Sequence, residues 1–236
     1  MSRAYVICHM LASLDGKIDG HFMSAPESAP AIGEYARLRS EYGCRAVVYG
    51  TTTMAEGFAD GVTDELPHAG ERYFQEDYAA PSDVQNYIVS IDPKGVLKWS
   101  SKYIERKNRP RAHIIEVLTE QVPNDYLAYL RSFDISYIFA GRERLDCRML
   151  LRKLKEQFGI DRVMLAGGGL ANGSFLQEHL IDELSLVLAP VAEPNASATP
   201  LFAAAGFLPK GTLSAFSLEA VQKTVGDSLW LRYRKR

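Results

Sequence analysis

Short apolar runs alternate with segments of helical period through the first three quarters of the chain, and then the alternation stops. Ala4–Leu11, Arg45–Gly50, Asn86–Ile91, Ala112–Leu118, Ile135–Ala140 and Asp161–Ala166 read as buried strands. Between them Pro30–Tyr42, a short segment opened by Thr51, Asp125–Arg131 and Asp146–Phe158 read as helices, and Asn172–Leu180 follows the last strand. Glu183–Val191, Gly211–Val221 and Ser228–Tyr233 then follow as strands without helices between them, the last two joined by a turn at Gly226-Asp227. Such an order predicts an α/β fold: a mixed, mostly parallel sheet of about eight strands, flanking helices, and antiparallel strands at the end. No linker interrupts it, so residues 1–236 are expected to form a single domain. Asp60–Val84 has weak periodicity, and a loop that long is expected to be a lid or an excursion beside a site.

Composition narrows the class. Hydrophobic residues make up 47% and charged residues 24%, enough to bury a sizeable core. The 27 Lys plus Arg against 29 Asp plus Glu leave a net charge of −2, with no general pull toward nucleic acid. No apolar run reaches the ~18 to 20 residues that span a bilayer, so no membrane association is expected. Cys8, Cys44 and Cys147 are far apart and form no C-x-x-C pair, which predicts neither disulfide nor metal site and favours the cytoplasm. The five histidines lack H-x-x-x-H or H-E-x-x-H spacing, and neither a G-x-S-x-G elbow nor a P-loop is present.

Three junctions can carry chemistry. In Arg162–Leu176 a strand ends in Gly167-Gly168-Gly169 and turns directly into a helix, with Asn172 a candidate cap. Glycines let phosphates approach the main chain, and the helix start offers N–H groups and partial positive charge to an anion. A tight turn packed against a neighbour would use the same residues. At Gly50-Thr51-Thr52-Thr53 hydroxyls replace glycines, and they suit either helix capping or a phosphate oxygen. Ser13-Leu14-Asp15-Gly16-Lys17 puts a hydroxyl, a carboxylate and an ammonium within five residues. That cluster could hold a sugar hydroxyl and supply a proton, or be a solvated turn. Two strand-to-helix junctions with anion-binding character suggest a dinucleotide and a reductase of a small organic substrate.

Taken in order, Ala12-Ser13-Leu14-Asp15-Gly16-Lys17-Ile18, Gly50–Thr53, Gly167–Gly169, Asn172-Gly173-Ser174-Phe175-Leu176, Leu180-Ile181-Asp182-Glu183-Leu184 and Ala189-Pro190 resemble the reductase domain of riboflavin biosynthesis, related in fold to dihydrofolate reductase. The resemblance implies a homodimer that uses NADPH to reduce the ribosyl group of a phosphoribosylaminopyrimidine, 5-amino-6-(5-phosphoribosylamino)uracil. By matching motifs, Gly167, Gly168, Gly169 and Leu170 would follow the cofactor pyrophosphate, and Thr51, Thr52 and Thr53 its adenosine side. Ala12, Ser90 and Gly141 would be further cofactor contacts; by position alone, Lys94 and Arg142 are candidates for the basic residue that a 2′-phosphate needs. Ser13, Asp15 and Lys17 would be catalytic, beside the nicotinamide and the substrate.

The chain departs from that family where Ala166 replaces an acidic residue before the glycines. It departs again where Val191-Ala192-Glu193-Pro194-Asn195 replaces a glycine pair, and where Asp60–Val84 replaces a short acidic and proline motif. These departures predict a related substrate with cofactor binding kept, or another acid (Asp15, Asp19 or Glu34) in the missing role. A reductase of a pterin or other heterocycle, and a dinucleotide-binding protein without turnover, are the alternatives. No deaminase segment precedes the motifs, so a monofunctional protein is expected.

Overall fold

A computed structural model describes residues 2–63, 66–73, 75–204 and 212–236. In chain order its elements are β1 (Tyr5–Ala12), α1 (Ala29–Glu41), β2 (Ala46–Gly50), α2 (Thr51–Gly57), β3 (Tyr87–Ile91), β4 (Tyr103–Ile104), β5 (Ala112–Leu118), α3 (Asn124–Ser132), β6 (Ser136–Phe139), α4 (Cys147–Phe158), β7 (Arg162–Leu165), α5 (Gly169–Gln177), β8 (Glu183–Leu188), β9 (Phe216–Lys223) and β10 (Leu229–Lys235). The fold class is the α/β, mixed-sheet arrangement expected, with ten strands among the described residues where about eight were foreseen. Two compact units divide the contacts: a terminal unit of Tyr5–Cys44 with Arg162–Arg236, and a central unit of Arg45–Asp161 with the first residues through Ala4.

In the terminal unit the strand order is β7-β1-β8-β10-β9. β1 pairs in parallel with β7 and with β8, whereas β10 runs antiparallel to both β8 and β9. β1 is buried at every position after Tyr5, as expected of a parallel strand covered on both faces. β9 is the opposite case, an edge strand exposed at most positions, including Leu218 and Val221. The turn between β9 and β10 takes positive φ at Gly226 and Asp227, the backbone that a tight hairpin demands. Of the strand expected over Gly211–Val221, Gly211 lies outside the described residues and the ladder begins at Phe216.

In the central unit β2, β3, β5 and β6 run parallel, and the two-residue β4, too short to register as a pattern, pairs antiparallel with the start of β5. Helix α4 follows from its sequence in full. Asp146 caps it by accepting from Met149 N at 2.7 Å, Leu150, Leu151 and Leu154 are buried, and Gly159 ends it in the left-handed region.

The segment Asp60–Val84, expected as a lid or an excursion beside a site, makes specific contacts with the central unit. Tyr78 exchanges both backbone hydrogen bonds with Tyr137 of β6, and Asp77 Oδ1 accepts from Phe139 N at 2.8 Å. Asp77 also pairs with Lys153 of α4, while Tyr73 N and Ala69 N donate to Asn124 and Asp125 at the start of α3. Its described part from Ala69 to Ala80 is therefore docked on α3 and on the outer edge of β6. At Asp77 and Tyr78 it covers amides of the β6 edge that would otherwise be unpaired.

Candidate active site in the terminal unit

Three neighbouring parallel strands, β7, β1 and β8, send their carboxyl ends to the same side of the terminal unit. Each is followed by a loop with polar or glycine character: Ala166–Gly169, Ser13–Gly20 and Ala189–Ala203. Loops at the carboxyl ends of parallel strands are where α/β sheets bind ligands.

The glycine turn has two jobs, divided residue by residue. Gly167 takes φ 100°, open to glycine and hardly to anything else, and its peptide bond to Gly168 is cis. Gly168, half-buried at φ −70°, is the N-cap of α5, and no side chain caps this helix. Its first amides are therefore left for another acceptor. Gly169 serves packing instead, since an added Cβ would stand 2.6 Å from Pro200 O and from Thr199 Cγ2. Gly173 packs in the same way, leaving no room for a side chain against the backbone of Ala203. Asn172 is not the cap foreseen. It lies inside α5 and donates from Nδ2 to Leu201 O at 2.9 Å, tying the helix to the loop after β8.

The turn after β1 is tightly wound. Buried Ser13 donates to Asp15 Oδ1 at 2.7 Å and accepts from Lys17 N at 2.9 Å. Asp15 Oδ1 also accepts from Glu193 N at 2.8 Å. That N–H, and after it the Ser13 hydroxyl, hold the Asp15 carboxyl below the usual range, so it is anionic. Lys17 Nζ donates to Ala198 O at 3.1 Å, Leu201 N to Gly16 O at 2.9 Å, and Asp19 takes both the N–H and the hydroxyl of Thr199. Leu14 and Leu170 remain 60% and 49% exposed, while Ala12 and Ala166 are buried. Sequence reasoning missed Glu193, Thr199 and the whole return segment through Ala203. Only the paired Asp-Gly steps at 15–16 and 19–20 hinted at a structured loop there.

The remaining foreseen residues belong to the central unit. Thr51 caps nothing: its hydroxyl donates to Ile91 O at 2.6 Å, and α2 has no side-chain cap. Thr52 is exposed and Thr53 half-buried at the carboxyl end of β2. Gly141, after β6, has φ 114°, and an added Cβ would run into the backbone of Arg144. Ser90 is fully buried opposite Glu116 in the β3–β5 ladder, so its side chain faces the core. Arg142 pairs with Glu120 at 3.3 Å and Lys94 is exposed. Among the described residues no group of three or more His, Cys, Asp or Glu could hold a metal ion, and no helix is long and apolar enough to cross a membrane.

The RibD C-terminal domain family matches residues 4–224. The chain belongs to that family. As a RibD C-terminal domain it is an oxidoreductase of the riboflavin-pathway type, a class that works with a nicotinamide cofactor. The 2,5-diamino-6-ribosylamino-4(3H)-pyrimidinone 5′-phosphate reductase of Methanothermobacter thermautotrophicus is 29% identical over 237 residues, covering 98% of each chain. Among solved structures, a pyrimidine reductase-like protein from Corynebacterium diphtheriae superposes with a TM-score of 0.70 at 14% identity, over 99% of this chain and 92% of that one. RibD of Acinetobacter baumannii gives 0.64 at 22% identity, over 99% of this chain and 58% of that one. At these identities the likeness concerns the fold, and it is the reductase fold that the motifs implied.

Proposed function

We propose that this RibD C-terminal domain uses NADPH to reduce the ribosylamino group of a pyrimidine 5′-phosphate to the ribitylamino group. The curated relative's name favours 2,5-diamino-6-ribosylamino-4(3H)-pyrimidinone 5′-phosphate over its uracil counterpart. One observation carries the reading: the uncapped start of α5 behind Gly167-Gly168 and the Asp15–Lys17 turn leave neighbouring parallel strands at the same end.

The residues present fit a dinucleotide. Gly168 exposes main chain, the first amides of α5 have no side-chain cap, and no acidic side chain stands in Ala166–Leu170 to repel a pyrophosphate. Gly167 to Leu170 and Ala12 would hold that part of the cofactor. Thr51, Thr52, Thr53, Ser90 and Gly141 stay proposed contacts, Ser90 through its backbone only. When bound, the cofactor supplies a hydride to C1 of the ribosyl group. Lys17 Nζ, with two N–H bonds beyond the one to Ala198, supplies the proton to the ring oxygen as the C1–O bond opens. The second oxygen of Asp15 orients the sugar hydroxyls, and Ser13, fully buried, acts beside it by holding Asp15 in place.

Of the acids that could replace the one absent at Ala166, Glu34 is paired with Arg37 on α1 and Asp19 is taken up by Thr199. Asp15 is left. NADPH oxidation measured with the diaminopyrimidinone, its uracil counterpart and a dihydropterin, with NADH as comparison, tests the assignment. Turnover on the diaminopyrimidinone supports it, and cofactor binding without turnover on any of the three sinks it. Turnover on the uracil compound that rises in Ala166→Glu would show that the alanine had shifted the preference between substrates.

A homodimer fits the open edge of β9 and its exposed Leu218 and Val221. A mass near the chain's own 26.2 kDa by light scattering at micromolar concentration would exclude it. The three free thiols fit the cytoplasm.

A further inference from the structure

Glu193 is a carboxylate at the proposed site that the reaction itself does not use, and it is only 1% exposed. Both of its oxygens are taken by main chain. Oε2 accepts from Phe22 N at 3.0 Å, and Oε1 accepts from Asn195 N at 3.1 Å. Phe22 lies in the 3-10 turn His21–Ser24 that follows the loop after β1, and Glu193 and Asn195 lie in the loop after β8, so one side chain staples the segments that follow two neighbouring parallel strands. The fit is close. Gly20, at φ 111°, has no room for a Cβ, which would stand 2.5 Å from Oε2.

The backbone N–H of Glu193 makes a separate bond, donating to Asp15 Oδ1 at 2.8 Å. Ser13 donates to the same oxygen. Oδ1 is thus committed twice, while Oδ2 accepts from no other described residue, the one further bond to this carboxyl coming from the backbone of Asp15 itself. We infer that Glu193 is a positioning residue, clamping the two loops so that its own N–H holds Asp15 with one oxygen open toward the substrate.

The charges around the pair agree with this arrangement. Backbone N–H bonds hold the Glu193 carboxyl below its ordinary range, Phe22 first and Asn195 next. Lys17 lies in the same turn as Asp15, Asp19 is occupied by Thr199, and His21, fully in solvent, has Nδ1 3.9 Å from Glu193 Oε1. A carboxylate gripped by N–H groups titrates low, so loss of the clamp should release Asp15 upward. A merely structural Glu193 would lower stability and leave that titration alone.

The kinetic arm of the test rests on the reductase reading, and the titration arm does not. Carbon NMR of the Asp carboxyls, with Asp15→Asn to assign the resonance, follows Asp15 in wild type, Glu193→Ala and Glu193→Gln. The midpoint is expected to rise in Glu193→Ala and less in Glu193→Gln, which keeps one acceptor. With the diaminopyrimidinone, kcat should fall about tenfold and the acid limb of its pH profile move up, with NADPH affinity within about twofold. If Glu193→Ala does not fold, Gly20→Ala pushes on the same carboxylate from outside and should give the same rise. An Asp15 midpoint unmoved in a folded variant overturns the inference. A shifted midpoint beside a wild type that reduces no pyrimidine would keep the clamp and remove the proposed function.

Discussion

The imidazole of His9 lies flat against the ring of Tyr35, with centroids 4.6 Å apart and planes within 10°. Its Nε2 is 3.0 Å from the Tyr35 carbonyl, which can only accept, so Nε2 carries the hydrogen. Nδ1 then accepts from the Ser185 hydroxyl at 2.9 Å, and that oxygen accepts in turn from Trp230 Nε1 at 2.9 Å. β1, α1, β8 and β10 are joined through one neutral ring.

Protonating that ring breaks the chain of donors, and burial above all pushes the His9 pKa down to about 4. The unfolded chain takes up the proton near 6.5, the folded one only near 4, so the unfolded state binds more protons between those values. Stability should be full above pH 6.5 and fall as the pH drops through this window, by up to about 1.4 kcal/mol per pH unit. Urea midpoints across the window measure it. The same slope in a folded His9→Gln would assign the loss to other groups.

Glu116 predicts the opposite sign. It is fully buried, accepts from Trp99 Nε1 at 2.6 Å, and lies near the charge of Asp92. Burial first, and the Asp92 charge second, push its carboxyl well above the ordinary range. The unfolded chain releases this proton near the usual value of 4.5, so the contribution to stability declines as pH rises above it. Gln, which resembles the protonated acid, should flatten the decline and leave Glu116→Gln at least as stable as wild type at pH 7. Parallel stability curves for the two proteins would show that Glu116 is charged in the fold.

The glycines after β7 should separate by assay. Gly173→Ala forces a methyl against the Ala203 backbone and should cost about 1–3 kcal/mol of stability, read by thermal unfolding. Gly168→Asp should fold, because φ −70° suits any residue, yet weaken NADPH binding at least tenfold, or about 1.4 kcal/mol, by calorimetry. Unchanged affinity in folded Gly168→Asp would make this glycine structural too.

Lys17→Met should reduce turnover by about 10² or more with NADPH affinity nearly intact, since the missing proton donor acts in the transition state. The bond to Ala198 O is lost as well, so thermal unfolding is followed in parallel. Equal loss of cofactor binding, substrate binding and melting temperature would mean that Lys17 only holds the loop.

What the amino-acid order determined by itself is what depends on near neighbours. β5 spans Ala112–Leu118 as read from its apolar run, and α4 differs from its expected span by one residue, because periodicity, a capping Asp and a terminating Gly act within a turn or two. The strand–glycine–helix step at Leu165–Leu170 was legible for the same reason, and the order of such motifs carried the family. Tertiary structure alone decided the partners. Asp15 meets Glu193 across 178 residues and Asn172 meets Leu201 across 29, pairings that no local pattern marks. Ser90 lies inside β3, and the parallel register sets it beside Glu116 with its side chain fully buried. Asp77–Ala80 showed only weak periodicity because the amides it satisfies belong to β6, about 60 residues further along. A side chain's contacts depend on which strands become neighbours, and that choice is made by burying the whole sheet at once.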